Sequence, residues 1–304
     1  MKTYAMMVLG CKVNDFESNY VKELMDRDYC EVNFKDVADI YIIFTCCVTN
    51  TAEAKTRKFI RACRRNNPDA YIVAVGCYAQ IKKDEEIFKD VDLVIGSKHK
   101  DKIKEYIDAH VHKNDVSSLD DVEFEELSVD NYYRKSRAFL KIQDGCDQYC
   151  SYCIIPYARG RQRSAQLIDV VNQATKLAKT TKEIVLTGIH TGRYFDGEHH
   201  LVDLLKEIDK IEGLETIRLS SIEISEITDE LLDYMKKSKK MAHHLHIPLQ
   251  AGSNHILKLM NRPYTVEDYI KRVEEIRQAI PNISISTDLI VGFPMESEED
   301  FSET

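Results

Sequence analysis

Short apolar runs that alternate with amphipathic segments constrain the fold of this chain more than any other feature of its sequence. In the first 110 residues, the apolar runs predict strands at 4–9, 39–44, 71–75 and 91–95. The segments between them predict helices at 14–28, 51–66, 82–89 and 98–110. Strands rich in Val and Ile that alternate with helices form parallel sheets with both faces covered. The chain is therefore predicted to be an α/β protein whose first domain, residues 1–110, is an open flavodoxin-like or Rossmann-like sheet.

A second series of strands and helices is predicted from residue 134 onward. Its strands are expected at 138–143, 183–187, 216–220, 244–248 and 284–291. Its helices are expected at 167–179, 202–211, 228–236, 254–260 and 266–279. This order predicts an open barrel of parallel strands over residues 134–304, with reactive loops at the carboxyl ends of the strands. Residues 111–133 lose the periodicity and are strongly acidic, which predicts a linker between the two domains.

Three cysteines lie close together after the first strand of the second series. They are Cys146, Cys150 and Cys153, with the spacing C-x3-C-x2-C. Three neighbouring thiolates can ligate one face of a cubane iron–sulfur cluster, whose irons favour thiolate ligands. Such a cluster keeps one iron without a protein ligand, and that iron is open to a small chelating molecule. Two alternatives remain: a structural zinc site, which needs four ligands, or a group of inert reduced thiols.

Three further cysteines each follow a predicted strand of the first domain: Cys11, Cys46 and Cys77. The carboxyl ends of parallel strands share one edge of a sheet, where ligands usually bind. These thiols are therefore expected at one edge, where they can ligate a second metal centre. The alternative is that they are small buried apolar residues. Cys30 and Cys63 fall away from this edge and are expected to be structural.

The overall composition predicts a cytoplasmic protein. No apolar run has the length needed to cross a membrane, and the N-terminus lacks a signal-peptide core. Nine cysteines in that compartment indicate metal or cluster chemistry and not a disulfide framework. The formal net charge of −9 gives no support to general binding of nucleic acid.

Two local groups of arginines are nevertheless candidates for contacts to phosphates. A basic turn contains Arg159, Arg161 and Arg163. A helix face contains Arg57, Arg61, Arg64 and Arg65. The alternative for both groups is a solvated surface.

The cysteine loop, residues 146–153, resembles that of the radical S-adenosylmethionine superfamily, with Tyr152 as the aromatic residue before the last cysteine. The longer run QDGCDQYCSYCIIPYARGR, at 143–161, resembles the methylthiotransferases. The segments GCKVN at 10–14, FTC at 44–46 and VGCY at 75–78 resemble the N-terminal domain of the same family. The resemblance covers nearly the whole chain. It implies two [4Fe–4S] clusters, one on Cys146, Cys150 and Cys153 that binds S-adenosylmethionine, and an auxiliary one on Cys11, Cys46 and Cys77.

The resemblance also bears on individual positions and on the length of the chain. The family usually has Asn where this chain has Phe44, and Cys47 adjoins Cys46, so Cys47 remains a second candidate for that ligand. Barrels of this superfamily typically have six strands, of which five are predicted here. The methylthiotransferases continue into a small C-terminal RNA-binding domain called TRAM. We therefore expect the chain to be truncated before that domain.

Strand-end segments that match the family pattern are expected to line the S-adenosylmethionine pocket. The ring of Tyr152 is expected against the adenine. The other pocket residues implied by the resemblance are Gly188, Ser220, Ser221, Glu223, Gln250 and Gly292. Taken singly, each could serve only a turn or a cap, and the glycines could serve tight turns. Met295 stands where the family more often has Gly.

The resemblance implies radical chemistry in which Cys146, Cys150 and Cys153 are the catalytic cysteines. One electron splits S-adenosylmethionine and yields a 5′-deoxyadenosyl radical, which takes a hydrogen atom from an unreactive C–H bond. Sulfur carried at the auxiliary cluster is then inserted, and a second S-adenosylmethionine supplies the methyl group. The expected partners are an electron donor such as flavodoxin or ferredoxin and a sulfur source, and no membrane is expected.

The segments CKVN and YARGR resemble most closely the branch that acts on N6-threonylcarbamoyladenosine beside the tRNA anticodon. The product would carry a methylthio group on carbon 2 of the adenine. An unstacked base of the anticodon loop suits such a pocket. The alternatives are a methylthiotransferase for isopentenyladenosine in tRNA or for a ribosomal protein, and a non-enzymatic protein that binds a metal or a cluster.

Overall fold

The computed structural model describes residues 2–120, 122–132 and 136–304. The chain divides into two compact units. The first unit comprises Met1–Asp130 and Ile154–Arg161, and the second comprises Asn131–Cys153 and Gln162–Thr304. Asp121 and Tyr133, in the expected linker, and residues 134 and 135, at the expected start of the second domain, lie outside the described residues. Within the part of the chain that is described, no helix is both long and apolar enough to span a bilayer.

The first unit contains a parallel sheet of six strands among the described residues. The strands are β1 (Thr3–Val8), β2 (Cys30–Glu31), β3 (Ile40–Thr45), β4 (Tyr71–Gly76), β5 (Leu93–Ile95) and β6 (Lys113–Asp115). Their order is β2-β1-β3-β4-β5-β6, and every pair is parallel. Each residue of the central strands β3 and β4 is buried, as continuous Val- and Ile-rich runs predict. The predicted open parallel sheet is confirmed.

Helices cover both faces of this sheet. They are α1 (Lys12–Met25), α2 (Asn50–Asn66), α3 (Cys77–Lys82), α4 (Ile103–Asp108) and α5 (Ile155–Arg159). Along β3, Tyr41 and Ile43 enter a core cluster shared with α2 and α3, whereas Ile42 enters a second cluster shared with α1 and α4. This alternation follows from the two-residue period of a strand. The carboxyl ends of the strands are thereby held between two packed layers.

Three parts of the first unit differ from the sequence prediction. The helix expected at 82–89 is instead α3, which ends at Lys82, followed by a short 3-10 helix at Glu86–Asp90. The acidic segment 111–133 contributes β6 to the sheet, and most of it groups with the first unit. Residues 154–161, expected in the second domain, also group with the first unit. At these places, contacts between residues remote in sequence determine the structure more than the local composition does.

The second unit is built from seven strands among the described residues. They are β7 (Arg137–Lys141), β8 (Gln143–Asp144), β9 (Arg163–Ser164), β10 (Glu183–Thr187), β11 (Thr216–Leu219), β12 (His244–His246) and β13 (Ser284–Ser286). Strand β10 pairs in parallel with both β7 and β11, and β12 pairs in parallel with β13. A parallel bridge from Ser221 to His246 continues the order from β11 to β12. The five predicted parallel strands are confirmed, whereas the antiparallel pair β8–β9 was not predicted.

Helices follow the strands of this unit in turn. They are α6 (Leu167–Leu177), α7 (Leu201–Asp209), α8 (Asp229–Lys237), α9 (Asn254–Leu259), α10 (Val266–Ala279) and α11 (Glu298–Glu303). The last predicted strand, 284–291, is shorter than expected, and only the bridge from Gln250 to Leu289 extends it. The arrangement is an open βα series whose strand ends face one edge.

Candidate cluster sites

The cysteine loop of the second unit begins directly after β8, and a buried glutamine fixes its start. Gln143 is fully buried, and its side-chain oxygen accepts hydrogen bonds from the backbone amides of Ile189 (2.9 Å) and His190 (2.7 Å). Its side-chain amide donates to the carbonyls of Asp144 (2.9 Å) and Gly145 (2.8 Å). We call this set of four hydrogen bonds the Gln143 clamp. It joins the residues just before Cys146 to the loop that follows β10.

Gly188 leaves the space that the Gln143 clamp occupies. A Cβ atom on Gly188 would lie 2.9 Å from the side-chain oxygen of Gln143 and 3.0 Å from its backbone oxygen. Any larger residue would displace the clamp. The predicted pocket residue Gly188 therefore has a packing role beside the loop.

Nitrogen donors lie against two of the three sulfurs of the cysteine loop. Nδ1 of His190 is 3.4 Å from Sγ of Cys146, and the backbone amide of Gln148 donates to the same sulfur at 3.4 Å. Nη1 of Arg262 donates to Sγ of Cys150 at 3.2 Å. Cys150 is buried, and Cys146 and Cys153 are partly exposed. Hydrogen bonds to sulfur and partial burial are the surroundings that protein iron–sulfur clusters use.

Two carboxylates of one short turn hold these cationic side chains. Glu223 forms an ion pair with Arg262, and Glu226 lies 2.5 Å from Nε2 of His190. Burial opposes the protonation of His190, but its hydrogen bonds to Cys146 and Glu226 raise its pKa to about 9. Glu223 was predicted from the family pattern to line the S-adenosylmethionine pocket. The structure places it one side chain away from Cys150.

Four of the remaining predicted pocket residues lie beyond the ends of β11, β12 and β13, and the fifth, Tyr152, lies in the cysteine loop. Ser220 is buried and exchanges a 2.9 Å hydrogen bond with the hydroxyl of Thr191, and Ser221 forms the bridge to β12. Gln250 has a left-handed backbone (φ 73°) and Gly292 has φ 72°. The ring of Tyr152 is 38% exposed. Burial raises the pKa of Tyr152, and the charge of Arg262 opposes that rise.

Three cysteines of the first unit lie just beyond strand ends: Cys11 is three positions after β1, and Cys46 and Cys77 directly follow β3 and β4. We call Cys11, Cys46 and Cys77 the auxiliary cysteines. Cys11 is the residue before α1, Cys46 follows β3, and Cys77 is the first residue of α3. Gly10 has φ 101°, and a Cβ there would lie 3.1 Å from Cβ and 3.2 Å from Sγ of Cys46. The loop that carries Cys11 is thus pressed against Cys46.

Two polar side chains tie these strand ends together. The side-chain amide of Asn14 donates to the carbonyl of Leu9 (2.7 Å), two positions before Cys11. It also donates to the carbonyl of Thr45 (3.0 Å), one position before Cys46. The hydroxyl of Thr45 donates to the carbonyl of Val75 at 2.9 Å, two positions before Cys77. These bonds set the spacing of the three loops.

Cys46 and Cys47 are both buried, but their neighbours differ. Burial raises the pKa of Cys46, with smaller contributions from the charges of Cys77 and Cys11. A hydrogen bond to Cys77 raises the pKa of Cys47, and Cys47 packs in the core cluster under α2 and α3. The contact of Gly10 with Cys46 also favours Cys46 as the residue nearest to Cys11. The contact at Gly10 thus groups Cys46 with Cys11, whereas Cys47 lies beside Cys77, which belongs to the same core cluster.

A buried charge network adjoins the auxiliary cysteines. Arg159 is fully buried; its Nη1 is 2.9 Å from Oε1 of Glu17, and its Nη2 donates to Oδ1 of Asn14 at 2.8 Å. A hydrogen bond to Cys47 lowers the pKa of Cys77, and the positive charge of Arg159 contributes to the same shift. Nζ of Lys100, equally buried, lies 3.6 Å from Glu17. The prediction that Arg159 contacts phosphates is wrong, because this side chain does not reach the surface.

The other candidate phosphate contacts divide into two groups. Arg163 pairs with the buried Asp144 at 3.1 Å, Arg57 donates to the hydroxyl of Tyr78 at 2.8 Å, and Arg64 pairs with Asp92 at 3.0 Å. These three have structural partners within their own units. The arginines with exposed side chains are Arg61, Arg65 and Arg161.

The donor sets fit iron–sulfur clusters. All nine cysteines lie in the described ranges and are free thiols, although Cys30 is exposed and Cys63 is buried in the core. Each of the two sites offers three thiols and a buried arginine: Arg262 donates to Cys150, and Arg159 donates to Asn14, three positions after Cys11. Among the described residues, no three His, Cys, Asp or Glu side chains converge as ligands of a single metal ion.

Several residues of these sites were missed by reasoning from the sequence. Asn14 and Gln143 stand inside recognised motifs, but the motifs do not show what their amides bind. Glu17 lies one turn after Asn14 on the apolar face of α1, and a carboxylate at such a position is a usable signal for a buried ion pair. Arg262 carries no local signal for its contacts to Glu223 and Cys150, which are 39 and 112 positions away.

Comparisons with known proteins agree with this geometry. The family model described as "Radical SAM superfamily" matches residues 140–304, and the one described as "Uncharacterized protein family UPF0004" matches residues 3–96. Among solved structures, the chain is similar to the apo form of the cobalamin-dependent S-adenosylmethionine radical enzyme OxsB. The TM-score is 0.66 at 14% identity, over 100% of this chain and 51% of that chain, a likeness of fold alone. The chain belongs to the radical SAM superfamily, which implies a [4Fe–4S] cluster and S-adenosylmethionine.

Similarity to curated relatives identifies the family within the superfamily. The chain is 44% identical to the threonylcarbamoyladenosine tRNA methylthiotransferase MtaB of Bacillus subtilis, over 100% of this chain and 70% of that protein. It is 43% identical to the protein of the same name from Aquifex aeolicus, over 99% and 75%. It is 37% identical to the tRNA-2-methylthio-N(6)-dimethylallyladenosine synthase of Clostridium novyi, over 100% and 70%. Within the superfamily, the chain belongs to the methylthiotransferases, as its sequence motifs predicted.

Proposed function

We propose that this methylthiotransferase adds a methylthio group to carbon 2 of N6-threonylcarbamoyladenosine next to the anticodon of tRNA. The observation that carries the substrate is the similarity over the whole chain: 44% and 43% to two enzymes named for threonylcarbamoyladenosine, against 37% to one named for dimethylallyladenosine. The segments CKVN and YARGR point to the same branch.

Cys146, Cys150 and Cys153 are proposed to hold a [4Fe–4S] cluster, which would bind S-adenosylmethionine. When bound, this group supplies the radical chemistry. Of this chain's own residues, Arg262 and His190 provide polar contacts to the cysteine sulfurs. Glu223 and Glu226 hold those two side chains in place, and the Gln143 clamp fixes the start of the loop. These residues orient the site and limit access of water to it.

Cys11, Cys46 and Cys77 are proposed to hold a second [4Fe–4S] cluster, from which the inserted sulfur is delivered. The support is their position at three adjacent strand ends and the hydrogen bonds of Asn14 and Thr45 that join those ends. The proposed S-adenosylmethionine pocket comprises Tyr152, Gly188, Ser220, Ser221, Glu223, Gln250 and Gly292. The proposed partners are the tRNA anticodon loop, an electron donor such as flavodoxin or ferredoxin, and a sulfur source, in the cytoplasm.

Nucleoside analysis of tRNA tests the substrate. A deletion strain should lack 2-methylthio-N6-threonylcarbamoyladenosine and accumulate its unmethylthiolated precursor, while the dimethylallyladenosine derivative is unchanged. The wild-type gene should restore the product, and a Cys150→Ala gene should not. Loss of the dimethylallyladenosine derivative, or of a ribosomal-protein modification, would instead assign one of the other branches of the family.

Anaerobic reconstitution with iron and sulfide tests the class of chemistry. The reduced protein should cleave S-adenosylmethionine to 5′-deoxyadenosine, and the Cys150→Ala protein should not. A protein that takes up only zinc and leaves S-adenosylmethionine intact would be a non-enzymatic metal-binding protein.

A further inference from the structure

Arg159 is the only fully buried arginine among the described residues, and it lies at the proposed auxiliary site. It ends α5, the short helix that follows the cysteine loop, and its partners Glu17 and Asn14 belong to α1. Its two terminal nitrogens are 2.9 Å and 3.2 Å from the two oxygens of Glu17, and one of them donates to Asn14 at 2.8 Å. A planar guanidinium held by a two-oxygen contact has a fixed position and a permanent charge.

The charge of Arg159 lies beside the loops that carry the auxiliary cysteines. Its Nη2 donates to Oδ1 of Asn14 at 2.8 Å, and the side-chain amide of Asn14 donates to the carbonyls of Leu9 and Thr45, just before Cys11 and Cys46. The guanidinium is therefore held next to the strand ends from which two of the three thiols project.

Glu17 acts in the opposite direction on the same site. It is fully buried and pairs with the guanidinium, so its negative charge offsets the positive charge of Arg159. Lys100 in turn offsets part of that negative charge, because its Nζ is 3.6 Å from Glu17 and 3.0 Å from Glu125. Removal of the charge of Glu17 is therefore expected to have the smaller effect.

We propose that Arg159 is a positioning residue that sets the reduction potential of the auxiliary cluster through its buried charge, which its contacts to Asn14 and Glu17 hold beside the site. Glu17 reduces this effect. The inference rests on the proposed binding of a cluster by Cys11, Cys46 and Cys77. An added electron makes a cluster more negative, so a buried cation close to it favours the reduced state. Hydrogen bonds to sulfur, charge and exposure are the general determinants of such potentials.

The test is a redox titration of the auxiliary cluster alone. The parent protein carries Cys146→Ala, Cys150→Ala and Cys153→Ala, is reconstituted anaerobically, and is titrated with detection by electron paramagnetic resonance. Arg159→Gln should shift the reduction equilibrium about tenfold toward the oxidised cluster. For a one-electron couple, this shift lowers the reduction potential by about 59 mV. Glu17→Gln should shift it the other way by a smaller factor. Arg159→Lys, which keeps the charge, should recover most of the parent potential.

Arg64→Gln is the matched control. Arg64 makes the same kind of contacts, to the carbonyls of Pro68 and Ala70 and to Asp92, but these precede β4 and β5 at the opposite edge of the sheet. That edge is about 20 Å from the auxiliary cysteines, the length of a six-residue strand. This variant should leave the potential unchanged.

Shifts of the reduction potential in opposite directions for Arg159→Gln and Glu17→Gln support the inference. A purely structural role would lower the iron content of both variants but would not move their potentials in opposite directions. Unchanged potentials, or shifts of one sign, in proteins that retain the parent's iron would overturn it. If the Arg159→Gln protein loses its iron, the other two variants test the inference. A higher potential in Glu17→Gln together with a potential near the parent's in Arg159→Lys supports it, and any other result overturns it. A parent protein that binds no iron would overturn both the inference and the proposed auxiliary cluster.

Discussion

The Gln143 clamp makes a prediction about stability that can be calculated from its contacts. Replacing Gln143 by Met keeps a similar volume but removes four buried hydrogen bonds, two to the backbone before Cys146 and two to the loop after β10. Each such bond contributes about 1 kcal/mol to stability. The loss should therefore be about 4 kcal/mol, which for a unit of this size lowers the melting temperature by about 10 °C.

Urea unfolding of the apoprotein, followed by far-ultraviolet circular dichroism, measures this loss. Gln166→Met is the matched control, because Gln166 is exposed and makes one side-chain hydrogen bond, of 3.3 Å to the carbonyl of Asp196. Its effect should stay within about 0.5 kcal/mol. The Gln143 variant should also retain less iron on the cysteine loop. A change below about 1 kcal/mol in Gln143→Met would refute the clamp as an anchor of the loop.

Three further predictions concern other parts of the chain. Met295 has φ 72° and a 76% exposed side chain. Met295→Gly should therefore relieve left-handed strain and raise the free energy of unfolding by about 1 kcal/mol, whereas Met295→Ala should give no gain. Urea unfolding of both variants checks this. Cys46→Ser should abolish iron binding at the auxiliary site, and Cys47→Ser should not. Iron analysis of proteins that also lack the three thiols of the cysteine loop measures this. The reverse result would make Cys47 the ligand in place of Cys46. Burial raises the pKa of Asp196, but three backbone amide donors outweigh it and lower that pKa to about 2. Since the folded pKa lies below the unfolded value of about 3.9, the stabilisation is complete above about pH 5 and lost toward pH 2. The stability gap between the wild type and Asp196→Asn should narrow over that range in urea titrations, and a constant gap would contradict the assignment.

The sheets of both units could be predicted because their strands carry strong local signals. The continuous apolar runs of β3 and β4 can be buried on both faces in only a few ways, and their ends are predicted to within one residue. The short strands β2 and β6 were missed, because Cys30–Glu31 and Lys113–Asp115 are polar and gain their pairing from β1 and β5 alone. Helix α3 was missed since its six residues begin at a cysteine expected to lie in a loop.

The site could be predicted as a set of cysteines but not as a set of contacts. The spacing of Cys146, Cys150 and Cys153 is local, and the positions of Cys11, Cys46 and Cys77 follow from the geometry of a parallel sheet. Arg159 was assigned to the surface because neighbouring arginines suggest a basic turn. Its real partner, Glu17, is 142 positions away, and no local pattern reports a pairing of that range.

The central claim is that this chain holds two separate sites of three thiolates, each of which binds one cluster. Iron and acid-labile sulfide, counted per chain after anaerobic reconstitution, test it most directly. We expect about eight iron atoms in the wild type. We expect about four in the triple alanine variant of Cys146, Cys150 and Cys153, and about four in that of Cys11, Cys46 and Cys77. About four iron atoms in the wild type, lost entirely in one triple variant and unchanged in the other, would contradict it.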